Sequence, residues 1–269
     1  MSANPVEIAA HHVKDAATIV LPFQWEIALP KVFGLQLTKF MVLELVAAVL
    51  MLVIFIPLSR KVAGGKPPKG RFWNMFEAAV LFLRNEVVRP AIGSHDADRF
   101  FPFILTVFFF ILFCNLLGMV PWLGSPTGSI NVTGALAIIA FAVVVGAGMK
   151  KFGLLKYWTG LCPHMDLPRP LALFLIPMIL FIEIFGLFIK HTILAIRLLA
   201  NMFAGHLVLG VIVAFIPVFV HQTLWYGVAP AALLGATALN LLELFVAFLQ
   251  AYIFAFLTAL FIGMSVHQH

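Results

Sequence analysis

The sequence predicts an all-α polytopic membrane protein with about five membrane-embedded helices and one amphipathic surface helix. Hydrophobic residues make up 63% of the 269-residue chain and charged residues only 10%, whereas soluble domains carry about 25% charged residues. The mean hydropathy of +1.08 agrees with this class. The apolar runs are continuous rather than alternating with a period of two, which excludes a transmembrane β-barrel.

The predicted helices follow a polar arm and lie in one membrane domain. Residues 1–37 form the extramembrane arm, in which we expect a small surface helix, and residues 38–269 form the membrane domain. The helices are predicted at about 38–58, 72–92, 100–120, 131–149, 171–216 and 231–266. Residues 72–92 carry too many polar side chains to cross a membrane, so this helix is predicted to lie on its surface. The last two helices greatly exceed the roughly 20 residues of a perpendicular span, so we expect them to be tilted or to protrude.

The basic residues predict the orientation of the chain. They concentrate in the loop Arg60–Arg71 and in a second loop that contains Lys150, Lys151 and Lys156. The loops on the other side lack Lys and Arg between Trp122 and Ser129 and between 217 and 230. The positive-inside rule therefore puts the N-terminus outside and the C-terminus in the cytoplasm. We expect a bacterial plasma (inner) membrane, with an organelle inner membrane as the alternative.

One charged stripe lies inside the fifth predicted helix. Glu183, Lys190 and Arg197 are seven residues apart and share one helix face, which Asn201 extends. Arginine at the centre of a bilayer costs roughly 2.5–3.5 kcal/mol on insertion scales. Since arginine never deprotonates in proteins, it cannot relay protons, but it can attract a carboxylate and repel cations. We therefore interpret Arg197 as functional.

Further polar residues lie opposite this stripe and on the last helix. His206 is nine residues from Arg197 and points to the opposite face, while Glu243 and Gln250 are seven apart with Asn240 on the same side. Histidine and glutamate can carry protons near neutral pH when their surroundings adjust their pKa values. Titratable groups next to a fixed positive charge indicate a proton path with a gate.

Other classes of site find no support in the sequence. Two cysteines at unrelated positions form no metal motif, and no phosphate-binding loop or nucleophile motif occurs, so we expect no cofactor and no metal. The net charge of +6 does not indicate nucleic acid, because the basic residues flank apolar spans. Two alternatives remain open: a stand-alone proton-coupled transporter or channel, and a membrane scaffold in which the polar stripe only joins helices.

From about Thr38 to its end, the chain resembles subunit a of the F-type ATP synthase, the stator half of the proton channel. The residues that carry the resemblance are Asn115–Pro121 (Asn-Leu-Leu-Gly-Met-Val-Pro), Arg197–His206 (Arg-Leu-Leu-Ala-Asn-Met-Phe-Ala-Gly-His), and Glu243 followed by Gln250. The family usually has Gly where this chain has Ala200. Many bacterial members have Glu at the position of His206 and His at that of Glu243; this chain has the reversed pair, as mitochondrial members do.

The resemblance implies a function and its site residues. Arg197 would face the carboxylate of a c-subunit ring as an essential gate. The implied proton path consists of His206, Glu243, Gln250, Asn115, Asn201, Glu183 and Asn240. The implied partners are the c ring, the peripheral-stalk b subunits, the other ATP synthase subunits and the lipid bilayer. The chain would not be catalytic alone, and the coupling ion, proton or sodium, would be chosen mostly by the ring.

Overall fold

The computed structural model describes residues 15–16, 18–21, 25–32, 35–63, 70–120, 123–160, 169–220 and 222–267. Five described helices are long and apolar enough to cross a membrane, and they confirm the predicted fold class. These five stretches are Lys39–Val62, Ala97–Gly118, Ile130–Phe152, Phe174–Val218 and Trp225–Val266.

The described part of the N-terminal arm forms strands. Strand β1 (Thr18–Leu21) pairs antiparallel with β2 (Trp25–Ala28), and β3 (Lys31–Val32) pairs antiparallel with β4 (Leu35–Gln36). The expected small surface helix does not occur in this described part, and residues 1–14 lie outside it. Local sequence explains why strands form here: β1 begins with the β-branched residues Thr-Ile-Val, which favour strands over helices.

The arm also caps the first membrane helix, α1 (Lys39–Ala63). The backbone N–H of Lys39 donates to the carbonyl oxygen of Ala16 at 2.9 Å, and the N–H of Phe40 donates to Asp15 Oδ1 at 3.3 Å. These bonds satisfy two of the four N–H groups that a helix start leaves without intrahelical partners. The acidic side chain also suits the positive end of the helix dipole.

The predicted surface helix consists of three consecutive segments. Helix α2 (Arg71–Phe82) continues into a π-helical turn (Leu83–Val88) and then into α3 (Arg89–Ile92). The buried side of α2 and the π-helical turn is apolar, whereas polar and apolar side chains share the exposed side, which includes Phe72 and Phe82. This mixture is typical of a helix that lies in the membrane interface.

Helices α4 (Ala97–Gly118) and α5 (Ile130–Phe152) follow the prediction closely. Between them, a 3-10 turn covers Pro126–Gly128. Helix α6 (Leu154–Gly160) was not predicted. It follows Gly153, whose φ of +87° falls in a region that side-chain-bearing residues rarely adopt, so the chain can turn sharply after α5.

The last two helices are long and continuous. Helix α7 (Arg169–Val218) has 50 residues and α8 (Trp225–Val266) has 42. At about 1.5 Å per residue they measure roughly 75 and 63 Å, against about 30 Å of hydrocarbon. Helix α8 begins before its expected start because Pro230 interrupts only one backbone hydrogen bond near the helix start, and the helix continues through it.

The chain divides into two compact units. Unit one contains Met1–Lys66, Phe108–Thr133 and Arg197–Tyr252, and unit two contains Pro67–Val107, Gly134–Ile196 and Ile253–His269. Helices α7 and α8 therefore each contribute residues to both. The sequence-based assignment of 38–269 to one membrane domain stays a prediction.

Unit one has an aromatic and aliphatic core. The rings of Phe55 on α1 and Phe109 on α4 lie 4.6 Å apart between centroids. Leu198 and Met202 of α7 are nearly completely buried. Close-packed apolar contacts of this kind supply most of the attraction that remains available between helices in lipid.

Unit two contains a buried polar contact. Ser265 Oγ donates to the carbonyl oxygen of Val144 at 2.8 Å and lies 3.3 Å from the hydroxyl of Tyr157. Because Ser265 uses its one proton on Val144, the Tyr157 hydroxyl is the donor to Ser265. Burial raises the pKa of Tyr157, so this donor stays protonated. Gly148 gives the tyrosine ring room, since a Cβ at this position would overlap it.

An ion pair joins the start of α4 to the end of α5 in unit two. The Lys151 ammonium donates to Asp96 Oδ2 at 2.8 Å. This hydrogen bond from Lys151 holds the pKa of Asp96 below its ordinary value, with the Lys151 charge acting in the same direction against partial desolvation. The carboxylate is therefore favoured in the folded protein.

We expect Lys151→Gln to lower the free energy of unfolding at pH 7 by about 1 kcal/mol or less, because exposed pairs contribute little. Since the pKa of Asp96 is lowered on folding, this stability is present above the ordinary aspartate pKa of about 3.9 and is lost as the pH falls through the lowered pKa. Thermal unfolding in detergent at a series of pH values measures the effect. Lys150→Gln is the matched control, because Lys150 is exposed; equal melting temperatures for both variants at pH 7 would contradict the prediction.

Candidate functional site

All the predicted site residues except Glu183 fall in unit one. Helix α7 supplies Arg197, Asn201 and His206, α8 supplies Asn240, Glu243 and Gln250, and α4 supplies Asn115. Glu183 lies on the same helix, α7, in the part that belongs to unit two.

Arg197 lies on an exposed and mostly apolar face of α7. Leu194 and Leu198, on its buried side, are 3% and 1% exposed, whereas Ile196 and Phe203 are about half exposed. The guanidinium of Arg197 forms no hydrogen bond or ion pair with the side chains that the structure describes, and Asn201 beside it is half-buried. A permanent cation in apolar surroundings is costly unless an opposite charge or water lies next to it. Since the described residues supply no such charge, we expect another molecule to supply the charge or the water.

His206 and Glu243 are half-buried titratable residues with buried side-chain atoms that lack hydrogen-bond partners. Among the described residues, neither oxygen of the Glu243 carboxylate nor Nε2 of His206 has a partner. The two side chains are not joined by a hydrogen bond, but the Glu243 carboxylate contacts the backbone of Gly205, the residue before His206. A Cβ at Gly205 would overlap Glu243 Oε1, so glycine is what lets the carboxylate approach α7 at this point.

Lys39 is a charged residue near this region that sequence reasoning missed. It lies in the first turn of α1 and is only 5% exposed. It interacts electrostatically with Asp15 of the arm and with His206 of α7. A lysine at the start of a span ordinarily extends toward water, so its sequence position gave no signal of this burial.

Asn115 is fully buried, and both polar atoms of its side chain are hydrogen-bonded. Its Nδ2 donates to the carbonyl oxygen of Ala247 on α8 at 3.3 Å, and its Oδ1 accepts from Thr127 Oγ1 at 2.7 Å. Ser125 Oγ lies 2.7 Å from the same Thr127 oxygen. Sequence reasoning treated the segment of Ser125 and Thr127 only as an outside loop, because its turn residues carry no motif.

Gln250 and Asn240 differ in burial. Gln250 is 9% exposed, whereas Asn240, three turns earlier on α8, is exposed. Gln250 and Glu243 therefore point into unit one, while Asn240 lies on its surface. The sequence predicts one shared helix face for Asn240, Glu243 and Gln250, but Asn240 is exposed whereas Gln250 is buried.

Unit two contains Glu183 and Lys190, which are both half-buried, and the buried histidine His191, which the sequence alone does not mark as part of the site. His191 is 3% exposed and lies between the rings of Phe141 and Phe261, at 5.3 and 5.2 Å between centroids. Its Nδ1 donates to the carbonyl oxygen of Leu187 at 2.9 Å, because a carbonyl can only accept.

The arrangement is suited to proton transfer. It combines an exposed permanent cation with two half-buried titratable residues in the same unit, and the buried hydrogen bonds of Asn115 lie in that unit too. No group of three or more His, Cys, Asp or Glu side chains suited to a metal ion occurs among the described residues. Histidine and glutamate can take up and release protons, and a permanent cation can attract or repel a passing charge.

The fold and these residues define a polytopic α-helical membrane protein in which an exposed arginine, a histidine and a glutamate lie in the same unit. The family model of the ATP synthase A chain matches residues 41–263. The chain belongs to this family, which confirms the resemblance found in the sequence.

Three curated relatives cover most of the chain and most of their own lengths. ATP synthase subunit a of Myxococcus xanthus is 42% identical over 87% of this chain and 75% of the relative. ATP synthase subunit a of Chloroherpeton thalassium is 40% identical over 96% of this chain and 76% of the relative. ATP synthase subunit a 2 of Chlorobaculum tepidum is 38% identical over 97% of this chain and 73% of the relative.

Proposed function

We propose that this chain is the proton-translocating stator subunit of an F-type ATP synthase. It forms two offset half-channels against a ring of c subunits and couples proton flow to ring rotation and ATP synthesis. The observation that carries the proposal is Arg197, a permanent cation on an exposed and mostly apolar helix face without a described hydrogen bond or ion pair, in a chain of the ATP synthase A chain family.

The outside half-channel delivers protons to the ring. Its polar groups are His206, Glu243, Gln250 and Asn115. The absence of described hydrogen-bond partners for Glu243 and for Nε2 of His206 supports this role, because a group that exchanges protons must keep an atom available. A proton from this path neutralises a ring carboxylate, which can then enter lipid without the cost of a bare charge.

Arg197 separates the two half-channels. A ring carboxylate that has lost its proton is attracted to the guanidinium and passes it as an anion. Because the guanidinium stays charged at any physiological pH, it also repels protons that would otherwise cross directly between the half-channels. Asn201 and Asn240 lie about one turn from Arg197 and Glu243, respectively, and contribute hydrogen bonds there.

The inside half-channel releases the proton after nearly a full turn of the ring. Glu183 is its best candidate, because it lies two heptads before Arg197 on the same helix and on the same face. Each proton delivers about 2.3 kcal/mol per 100 mV of membrane potential. The long helices α7 and α8 tilt in the membrane and follow the curved surface of the ring.

The proposal includes partners and orientation. The chain works with the c ring, the peripheral-stalk b subunits and the other ATP synthase subunits, and has no catalytic activity alone. Helix α1 ends with Arg60 and Lys61, and α5 ends with Lys150 and Lys151. These basic ends support a topology with the N-terminus outside and the C-terminus in the cytoplasm. The bacterial relatives support a bacterial plasma membrane, and an organelle inner membrane stays the alternative.

Reconstitution distinguishes the proposal from a stand-alone transporter or channel. Liposomes carrying a potassium diffusion potential and an internal pH dye would contain the chain alone, the c ring alone, or the assembled membrane sector. We expect proton flux only from the assembled sector, because the chain by itself has two half-channels with no carrier between them. Substrate-coupled or passive proton flux through the chain alone would contradict the proposal.

A further inference from the structure

A buried polar network joins three parts of unit one. Its members are Ser125, Thr127, Asn115 and the carbonyl oxygen of Ala247, and we call it the Asn115 clasp. Ser125, Thr127 and Asn115 are 3%, 0% and 0% exposed. The clasp connects the turn after α4, the end of α4 itself and the middle of α8.

In the clasp, each group donates a hydrogen bond to the next, from Ser125 through Thr127 and Asn115 to the carbonyl oxygen of Ala247. Thr127 uses its one hydroxyl proton on Asn115 Oδ1 at 2.7 Å, so in the 2.7 Å contact between the two hydroxyls Ser125 is the donor. The Asn115 amide then donates to the carbonyl oxygen of Ala247 at 3.3 Å. A helix carbonyl has a second lone pair beside its intrahelical bond, so this bond does not compete with α8.

Gly118 is what allows the turn to approach α4. A Cβ at Gly118 would overlap the Cβ and Oγ of Ser125 and would meet its backbone Cα at 2.8 Å. Because the overlap includes backbone, a small side-chain rotation cannot relieve it. Asn115 and Gly118 of the motif at residues 115–121 therefore both help to receive Ser125 and Thr127.

The clasp holds α8 between two residues of the proposed outside half-channel. Ala247 follows Glu243 by four residues and precedes Gln250 by three, about one helical turn on either side. Residues at these spacings lie on neighbouring parts of one helix face. Apolar packing is not directional, whereas a hydrogen bond between a buried amide and one particular carbonyl fixes both rotation and axial position.

We propose that Thr127 is a positioning residue of the outside half-channel, which acts through Asn115 on α8 and so fixes where Glu243 and Gln250 lie. The proposal rests on the proposed function. Thr127 carries no charge and exchanges no proton in this role. Its hydroxyl keeps the Asn115 amide oriented with oxygen toward the turn and nitrogen toward Ala247.

The test compares Thr127→Val with Thr127→Ser in the assembled ATP synthase in inverted membrane vesicles and proteoliposomes. Valine keeps the shape but leaves Asn115 Oδ1 without a donor, whereas serine keeps the hydroxyl. Loss of a buried hydrogen bond is worth about 1–1.5 kcal/mol, so we expect Thr127→Val to lower ATP synthesis per assembled complex about tenfold. Thr127→Ser should retain most of the activity.

A displaced pH profile separates positioning from a merely structural role. With Thr127→Val, the dependence of synthesis on outside pH should move by on the order of half a unit, since Glu243 and Gln250 change their surroundings. The dependence on inside pH should stay as in the unmodified complex. Thr133→Val is the matched control: it removes another buried threonine hydroxyl, which bonds only to the carbonyl oxygens of Ser129 and Ile130 within its own helix start.

The outcomes separate this inference from the proposed function. If Thr127→Val and Thr133→Val both leave the outside-pH profile unchanged, Thr127 is not a positioning residue, whatever happens to the yield of complex. If Thr127→Val does not assemble, Thr127→Cys, with a similar shape and only a weak donor, carries the same expectation. Arg197→Ala is measured in parallel: retained synthesis there would refute the proposed function, independently of Thr127.

Discussion

Replacing Arg197 with alanine should abolish proton-driven ATP synthesis while the complex still assembles. The side chain lies on an exposed face of α7, so its removal leaves no cavity in unit one. What is lost is the permanent charge, and with it both the attraction for the ring carboxylate and the barrier against protons. We therefore expect synthesis to fall to background and passive proton leakage through the membrane sector to appear.

Two companion variants test whether charge is the property that matters. Arg197→Lys keeps the positive charge but loses the planar guanidinium, and should retain the barrier while synthesis falls strongly. Ile196→Ala shortens an exposed neighbour on the same helix, where Ile196 is 51% exposed, and should have little effect. Synthesis and leakage are measured in vesicles with the amount of assembled complex determined by gel. Retained synthesis in Arg197→Ala would make the arginine structural.

Gly205→Ala should strongly reduce coupled transport while leaving the stability of the fold nearly unchanged. A Cβ at Gly205 would overlap Oε1 of Glu243 and lie 3.0 Å from its Cδ. Since the overlapping atom is the end of a flexible side chain, the carboxylate can rotate away at small cost. Alanine in turn favours a helix over glycine by about 0.8–1 kcal/mol. The substitution therefore displaces the Glu243 carboxylate rather than destabilising the fold. We expect ATP synthesis to fall at least tenfold.

The matched control for this prediction lies on the same helix. A Cβ at Gly186 of α7 would meet no atom within 4 Å, so Gly186→Ala makes the same chemical change in open space. ATP synthesis and thermal unfolding of both variants are measured side by side. If Gly205→Ala and Gly186→Ala give equal synthesis, the contact between Gly205 and Glu243 has no part in proton transfer.

Much of the fold follows from local properties of the sequence. A continuous apolar run such as residues 100–120 can satisfy its backbone hydrogen bonds in lipid only as a helix, and α4 occupies Ala97–Gly118. Helix ends are less well determined, as α6 and the early start of α8 demonstrate. Whether a segment next to proline or glycine stays helical depends on the contacts that the neighbouring residues make.

Some residues of the candidate site can likewise be identified from the sequence, whereas the contacts between them cannot. The high transfer cost of a charge in lipid identifies Arg197 from sequence, and so does the motif in which it lies. Nothing in the chain near residue 127 indicates that its hydroxyl meets Asn115, and the partner of Asn115 on α8 is 132 residues away. The contact of Glu243 with Gly205 likewise joins two helices whose relative position no local pattern encodes.

The sequence by itself determined the membrane class, the family, the spans and the arginine, because hydropathy, helical periodicity and the cost of a buried charge are properties of short segments. Only the tertiary structure decided that the described part of the arm forms antiparallel strand pairs, that Ala16 and Asp15 cap α1, that Lys39 is buried, that Asn115 is held by Thr127, and that Glu243 lies against Gly205. These features depend on close approach between segments far apart in the chain, and such approach is set by how whole helices pack.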